Sequence, residues 1–258
     1  EIDGLRAIAV MAVVIFHAGI DRLAGGYLGV DIFYVISGFL ITSIILHENE
    51  AGAFSLMSFY RRRIVRILPA LFVMLLTVLA VACVVAMPPD IAAIGKSSAA
   101  AAAFIANMHF WQTTGYFDSA AEAAPLLHTW SLGVEEQFYI LYPLLLLAIA
   151  RWRKNPAPAL FVLCIVSFAV ALWLGTWENE SNFYLLPARA WQLGLGALVA
   201  TGFFPAVRAP LAQGLAITGL IAITISFFID ADFSAELAVL PSLGAALALS
   251  AQVATAPA

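Results

Sequence analysis

Apolar residues in this chain come in long uninterrupted runs, and the polar residues fall between the runs. A membrane-spanning helix needs about 20 mostly apolar residues. Eight stretches read as spans: Leu5–Ile20, Leu28–Leu46, Ile64–Met87, Ser131–Ala150, Ala157–Gly175, Tyr184–Phe204, Leu211–Ile229 and Leu237–Val253. A ninth, Ser97–Trp111, is short, alanine-rich and interrupted by Asn107 and His109. The pattern predicts an all-α polytopic transmembrane helix bundle of about eight spans plus one re-entrant or short segment.

Composition makes the membrane reading firm. A soluble domain is about 45–50% apolar and about a quarter charged. This chain of 258 residues is 63% hydrophobic and 11% charged, with a mean hydropathy of +0.98. The net charge of −4 adds little, because placement of charge matters more than its sum. No nucleic-acid partner is expected; the lipid bilayer is. Cys83 and Cys164 lie far apart in apolar runs and read as packing residues, with no metal spacing and no disulfide framework. The first residue is Glu1 and the last run is small and apolar, so the chain reads as one domain over residues 1–258, truncated at both ends.

Basic residues set the orientation. If Arg6 is cytoplasmic, an eight-span path also puts Arg61, Arg62, Arg63, Arg66, Arg151, Arg153, Lys154 and Arg208 on the cytoplasmic side. Only Arg22 and Lys96 fall outside, and Arg189 lies within a span. Making Ser97–Trp111 a full span would break that bias, so it is expected to be re-entrant or interfacial on the outer side. An ordinary short tilted span is the alternative.

Ionisable groups inside spans are costly, about 2.5–3.5 kcal/mol each on insertion scales, and each marks a candidate functional site. Near the cytoplasm lie Asp3, Arg6 and the "FYRRRIVRILPA" segment. Arg61 and Arg62 read as positive-inside anchors. Four arginines also suit phosphate, which guanidinium binds bidentately. Arg62 and Arg66 share a helix face, as do Arg63 and Arg66. Toward the outer side lie His17, Asp31, His128, Glu135, Glu136 and Arg189, from at least four segments, at similar expected depth. At least one of Glu135 and Glu136 must face a polar interior. A structural ion pair with one of these glutamates is the plain expectation for Arg189.

Arg6 and His17 are eleven residues apart, on one helix face and about 16 Å apart along the axis. Such a face suits a long, thin substrate with a phosphorylated head on the cytosolic side. Acyl-coenzyme A has that shape, and an imidazole acts as general base or acid at neutral pH. A transported ion could use the same path, so the spacing alone leaves both open.

Four segments, "EIDGLRAIAVMAVVIFHAG", "GGYLGVDIFYVISGFLIT", "FYRRRIVRILPALF" and "HTWSLGVEEQFYILYPLLL", together resemble the successive motifs of the acyltransferase 3 family. The resemblance runs in order from Glu1 to about Gly196. It implies a multi-pass enzyme that moves an acyl group, usually acetyl, from cytosolic acyl-coenzyme A to a hydroxyl of an extracytoplasmic sugar. Typical acceptors are lipopolysaccharide O-antigen, peptidoglycan and exopolysaccharide. It implies a bacterial inner membrane location, acyl-coenzyme A as co-substrate, and no permanently bound cofactor or metal.

Carried over residue by residue, the Arg-x10-His motif falls on Arg6 and His17. The Arg-x-x-Arg motif falls on Arg63 and Arg66, and the Glu-Glu motif on Glu135 and Glu136. The Gly-Val-Asp segment falls on Gly29, Val30 and Asp31, followed by Ser37 and Gly38. The resemblance implies that Arg6, Arg63 and Arg66 hold the donor phosphates. His17 would act near the thioester, as base or as transient acyl carrier, with Glu135 or Glu136 supporting it. Asp31, Ser37, His128, Trp130 and Arg189 are candidates for the acceptor or a supporting site. Trp130 and Tyr139 could stack on a sugar, although interfacial aromatic belts are the commoner use of such residues. Family membrane domains usually have about ten spans, so terminal spans are expected to be missing here. Competing readings are an acyltransferase for a lipid or small molecule, a transporter of a glycan, lipid or ion, and a non-catalytic scaffold. The outer loop Thr113–His128 is acidic and suits either acceptor binding or simple solvation.

Overall fold

The computed structural model of the protein describes residues 2–19, 21–113, 124–153, 155–177, 179–204 and 207–255. Among these the secondary structure is wholly helical. The helices are α1 (Ile2–His17), α2 (Gly29–Glu50), α3 (Leu56–Val85), α4 (Pro88–Ala102), α5 (Ala106–Thr113) and α6 (Thr129–Trp152). They continue as α7 (Ala157–Gly175), α8 (Asn179–Tyr184), α9 (Leu186–Ala200), α10 (Ala209–Ser226) and α11 (Ala235–Thr255). A 3-10 stretch, Asp21–Leu28, joins α1 to α2. Lys154 and residues 114–123 of the acidic loop lie outside the described residues.

Among the described residues, six helices are long and apolar enough to cross a membrane: Arg22–Glu50, Leu56–Val85, Thr129–Trp152, Ala157–Gly175, Ala209–Ser226 and Ala235–Gln252. They correspond to six of the eight expected spans. The other two correspond to α1, with 16 residues, and α9, with 15. The expected continuous span Tyr184–Phe204 is interrupted at Leu185, where α8 stops and α9 begins with Pro187 in its first turn. Proline suits a helix start, where its missing N–H removes no intrahelical bond. The stretch Ser97–Trp111 is broken too. Phe104 takes a left-handed φ of 57° between α4 and α5, and the Ile105 amide donates back to Ala100 O at 2.9 Å, so the stretch is not one helix.

Two compact units make up the chain. The first comprises Glu1–His47, Leu146–Phe183 and Pro187–Ala258. Its core packs Leu5, Ala9 and Ala12 of α1 with Ile32, Val35 and Ile36 of α2, Ile223 of α10 and Leu249 of α11. Backbones approach closely where α2 meets α9. A Cβ on Gly38 would collide with the Leu193 carbonyl, and one on Gly196 with the Val35 carbonyl. Small residues at such crossings are the usual way membrane helices gain contact, since lipid gives little hydrophobic drive for association.

The second unit comprises Glu48–Leu145 and Tyr184–Leu186. In it α3 starts early. Ser55 caps the helix, accepting from the Ser58 amide at 3.5 Å, so Arg61 to Arg66 lie in its second and third turns. Much of α3 presents bare apolar side chains, including Val73, Leu76, Val84 and Val85, as a lipid-facing helix does. Cys83 is exposed on the same helix, which corrects its reading as a packing residue. Cys164, by contrast, is partly buried, with its Sγ close against Gly194.

Candidate functional site

In the first unit, α1 carries Arg6 and His17 on one continuous helix. Arg6 is half-buried and pairs with Asp3 at 3.4 Å, one turn away. His17 is the last residue of α1, and Gly19 at φ +70° turns the chain beyond it. The His17 ring nitrogen Nδ1 is 2.8 Å from the Val13 carbonyl oxygen. A carbonyl can only accept, so Nδ1 carries the hydrogen and donates it. In a neutral ring the lone pair is then on Nε2, the tautomer a base or nucleophile at that nitrogen requires.

Asp31 and Arg189 form a closed ion pair in this unit. Arg189 Nη1 donates to Asp31 Oδ1 at 2.7 Å, and both side chains are 2% exposed. Arg189 Nε donates to the Phe183 carbonyl at 2.8 Å, and the guanidinium lies 4.0 Å from the Phe233 ring centroid. Gln192 Nε2 also donates to Asp31 Oδ1, at 2.8 Å. The carboxylate partner of Arg189 is thus Asp31, from 158 residues away in sequence, where a glutamate had been expected. Gln192 was not singled out by the sequence reading. Its spacing of three from Arg189 puts both on one helix face, which is the signal that could have found it. Ser37 is half-buried on α2. An apolar cavity of about 560 Å³ opens among α1, α10 and α11 and holds none of the residues singled out above.

In the second unit α3 and α6 run antiparallel. Tyr60 Oη donates to the Ile140 carbonyl at 2.8 Å, while further along His128 Nε2 lies 3.3 Å from Met74 Sδ. This register brings the second turn of α3 against the third turn of α6. Arg63 lies 4.9 Å from the Tyr139 ring centroid and 5.7 Å from that of Phe59. It is within electrostatic range of Glu135, Glu136 and Arg66, and forms no ion pair within 4.0 Å among the described residues. Tyr139 Oη donates to Glu135 Oε2 at 3.3 Å. Glu136 is 6% exposed, and its Oε1 has no hydrogen-bond partner among the described residues.

Arg63 had been expected at the cytosolic mouth and the glutamates toward the outer side. The structure corrects that separation: the antiparallel register of α3 and α6 puts Arg63 beside Tyr139 and within electrostatic range of both glutamates. Arg62 is different, since its Nη2 contacts both carboxylate oxygens of Glu48, at 2.7 and 2.9 Å. Arg66, Leu71 and Met74 face His128, Thr129 and Leu132 across an open groove of about 380 Å³. Arg66 and His128 therefore belong to one groove, not to opposite depths.

Trp130 and Tyr139, read as sugar platforms or an interfacial belt, are both buried against protein groups. Trp130 is buried and edge-on to Tyr184, with ring centroids 5.5 Å apart, and Tyr139 is occupied by Arg63 and Glu135. The sequence reading also passed over an amide pair next to Glu136. Gln137 donates to Asn107 Oδ1 at 2.8 Å and to the Phe104 carbonyl at 3.0 Å. Asn107 Nδ2 donates in turn to the Tyr184 carbonyl at 3.1 Å. Gly133 makes room for Asn107, whose Oδ1 would lie 2.8 Å from a Cβ at that position.

These positions coincide with the motifs that suggested a family. The acyltransferase domain family matches residues 1–256. The chain is 37% identical over 209 residues, 78% of its length, to the peptidoglycan O-acetyltransferase OatA of Listeria monocytogenes, covering 33% of that protein. It is 35% identical over 207 residues, 77% of its length, to the O-acetyltransferase OatA of Staphylococcus aureus, covering 34% of that protein. The chain thus spans about a third of the length of these curated relatives. No solved structure gives a significant match. An all-helical membrane domain with the four motifs in order, matched from end to end, belongs to the acyltransferase 3 family.

Proposed function

We propose that the protein of which this chain is a part transfers an acetyl group from acetyl-coenzyme A to a hydroxyl of a cell-envelope glycan, with peptidoglycan the first candidate. One geometric observation carries the reading: Arg63, a guanidinium with no ion-pair partner among the described residues, stands beside a glutamate pair whose Glu136 is buried with an oxygen that has no hydrogen-bond partner among them. Charges in an apolar helix bundle are expensive to keep in that state. A phosphorylated substrate would give Arg63 its partner. The names of the relatives support O-acetylation of a glycan.

In this reading Arg6, Arg63 and Arg66 hold the phosphates of the donor. His17 takes the proton from the acceptor hydroxyl at Nε2, or carries the acyl group transiently. The hydroxyl oxygen attacks the thioester carbonyl, the carbon–sulfur bond breaks, and the proton ends on the coenzyme A thiol. Glu135 and Glu136 supply the negative charge that balances positive charge built up during transfer. Asp31, Ser37, His128, Trp130 and Arg189 have supporting roles; for Asp31 and Arg189 that role is structural. The membrane would be the bacterial inner membrane, with donor on the cytosolic side and acceptor outside.

Acyl-group analysis of envelope glycans tests this. Cells expressing the full-length protein should gain O-acetyl groups on peptidoglycan. The variant His17→Ala, at matched membrane levels, should lose them. Full acetylation by that variant would remove His17 from the mechanism. Absence of new acetyl groups on any glycan, with intact wild-type protein, would move the acceptor to a lipid or small molecule.

A further inference from the structure

Tyr139 stands where the arginine motif and the glutamate motif of the second unit meet. It is four residues from Glu135, one helical turn, so its hydroxyl can reach that carboxylate, and it does so at 3.3 Å. The Arg63 guanidinium lies 4.9 Å from its ring centroid, with Phe59 as a second aromatic neighbour at 5.7 Å. Tyr139 is 5% exposed, so packing fixes the ring that both neighbours use.

The arrangement answers a chemical problem. An arginine has a long flexible side chain, and a buried carboxylate with an empty oxygen is its natural partner. If Arg63 closed onto Glu136, the guanidinium would be withdrawn from any incoming phosphate and the carboxylate would be neutralised. In the structure the two interact through space without an ion pair within 4.0 Å. The aromatic face gives the cation an attractive seat that leaves its N–H donors unoccupied.

We propose that Tyr139 is a positioning residue: its ring holds Arg63 ready for the donor phosphates, and its hydroxyl holds Glu135 in the orientation the transfer step needs. The proposal rests on the roles given above to Arg63 and the glutamates. The two halves of the side chain therefore control different kinetic constants, and substitution separates them.

The test uses purified full-length protein, acetyl-coenzyme A as donor, soluble peptidoglycan fragments as acceptor, and thiol release as readout. Tyr139→Phe keeps the ring and loses the hydroxyl. Its kcat should fall about tenfold, the loss expected for one hydrogen bond to a charged group, with KM for acetyl-coenzyme A unchanged. Tyr139→Leu loses both features, so its kcat should fall similarly and its KM for acetyl-coenzyme A should rise about tenfold. Tyr139→Met, which fills the space with a flexible apolar chain, should repeat the leucine result if leucine prevents folding. Identical kinetic constants for the phenylalanine and methionine variants would overturn the proposal, because packing alone predicts no split. So would wild-type constants in every variant. A wild-type protein that releases no thiol would overturn the acyltransfer reading itself, and the role of Tyr139 with it.

Discussion

Two arginine–carboxylate clusters lie inside apolar helices of this protein, and they are built in opposite ways. Around Arg189 the guanidinium has close protein neighbours: Asp31 at 2.7 Å, the Phe183 carbonyl at 2.8 Å and the Phe233 ring at 4.0 Å. Around Arg63 the neighbours are aromatic faces and a carboxylate pair held at a distance. The first arrangement offsets the cost of burying two charges by pairing them, which is what a structural link between α2 and α9 needs. The second leaves the guanidinium without an ion pair within 4.0 Å among the described residues, a partner that a phosphorylated ligand can supply. Residue type, burial and a single unpartnered oxygen do not separate structure from function here, since Asp31 Oδ2 lacks a hydrogen-bond partner among the described residues as Glu136 Oε1 does; the direct ion pair, which Arg189 makes and Arg63 does not among the described residues, separates them.

That contrast can be broken experimentally, and the largest effect should come from the closed cluster. Arg189→Leu leaves Asp31 buried without its cation and should cost about 3–5 kcal/mol. A detergent melt would show it as a large drop in thermal stability, or as loss of folded protein from the membrane. Retained stability would mean the pair is not structural. A smaller effect, and of a different kind, is expected at the open cluster, where replacing Arg63 should weaken donor binding without unfolding the protein. The smallest belongs to Arg62, whose pair with Glu48 is 52% and 26% exposed. Exposed pairs contribute about 0–1 kcal/mol, so Arg62→Gln should leave both the melt and acetyl transfer close to wild type. A marked loss of transfer there would show that the arginine run acts as a whole.

Much of the architecture was legible from hydropathy, because an apolar run of span length has few alternatives to a membrane helix. The helix breaks were less legible. Phe104 ends α4 in a left-handed conformation usually associated with glycine, and nothing in its residue type announces that. The partner of Arg189 was hidden by sequence distance, since Asp31 and a glutamate are equivalent until the helices are packed. The meeting of Arg63 with Glu135 and Glu136 was missed for a local reason. The apolar run was read from Ile64, whereas the serine cap starts α3 at Leu56 and carries the arginines inside the helix. The amides Gln192, Gln137 and Asn107 looked neutral in apolar surroundings. In a bundle that excludes water, such amides are drawn to whatever polar group remains, here a carboxylate and a broken helix end.

Acetyl-coenzyme A binding to purified full-length wild-type protein and to Arg63→Gln, measured by calorimetry beside a thermal melt of each, tests the difference between the clusters most directly. The account predicts affinity weakened by about 10- to 100-fold, the worth of a charge-assisted contact, with the melting temperature unchanged. Equal affinity in the two proteins, or a variant that loses affinity only by unfolding, would contradict it.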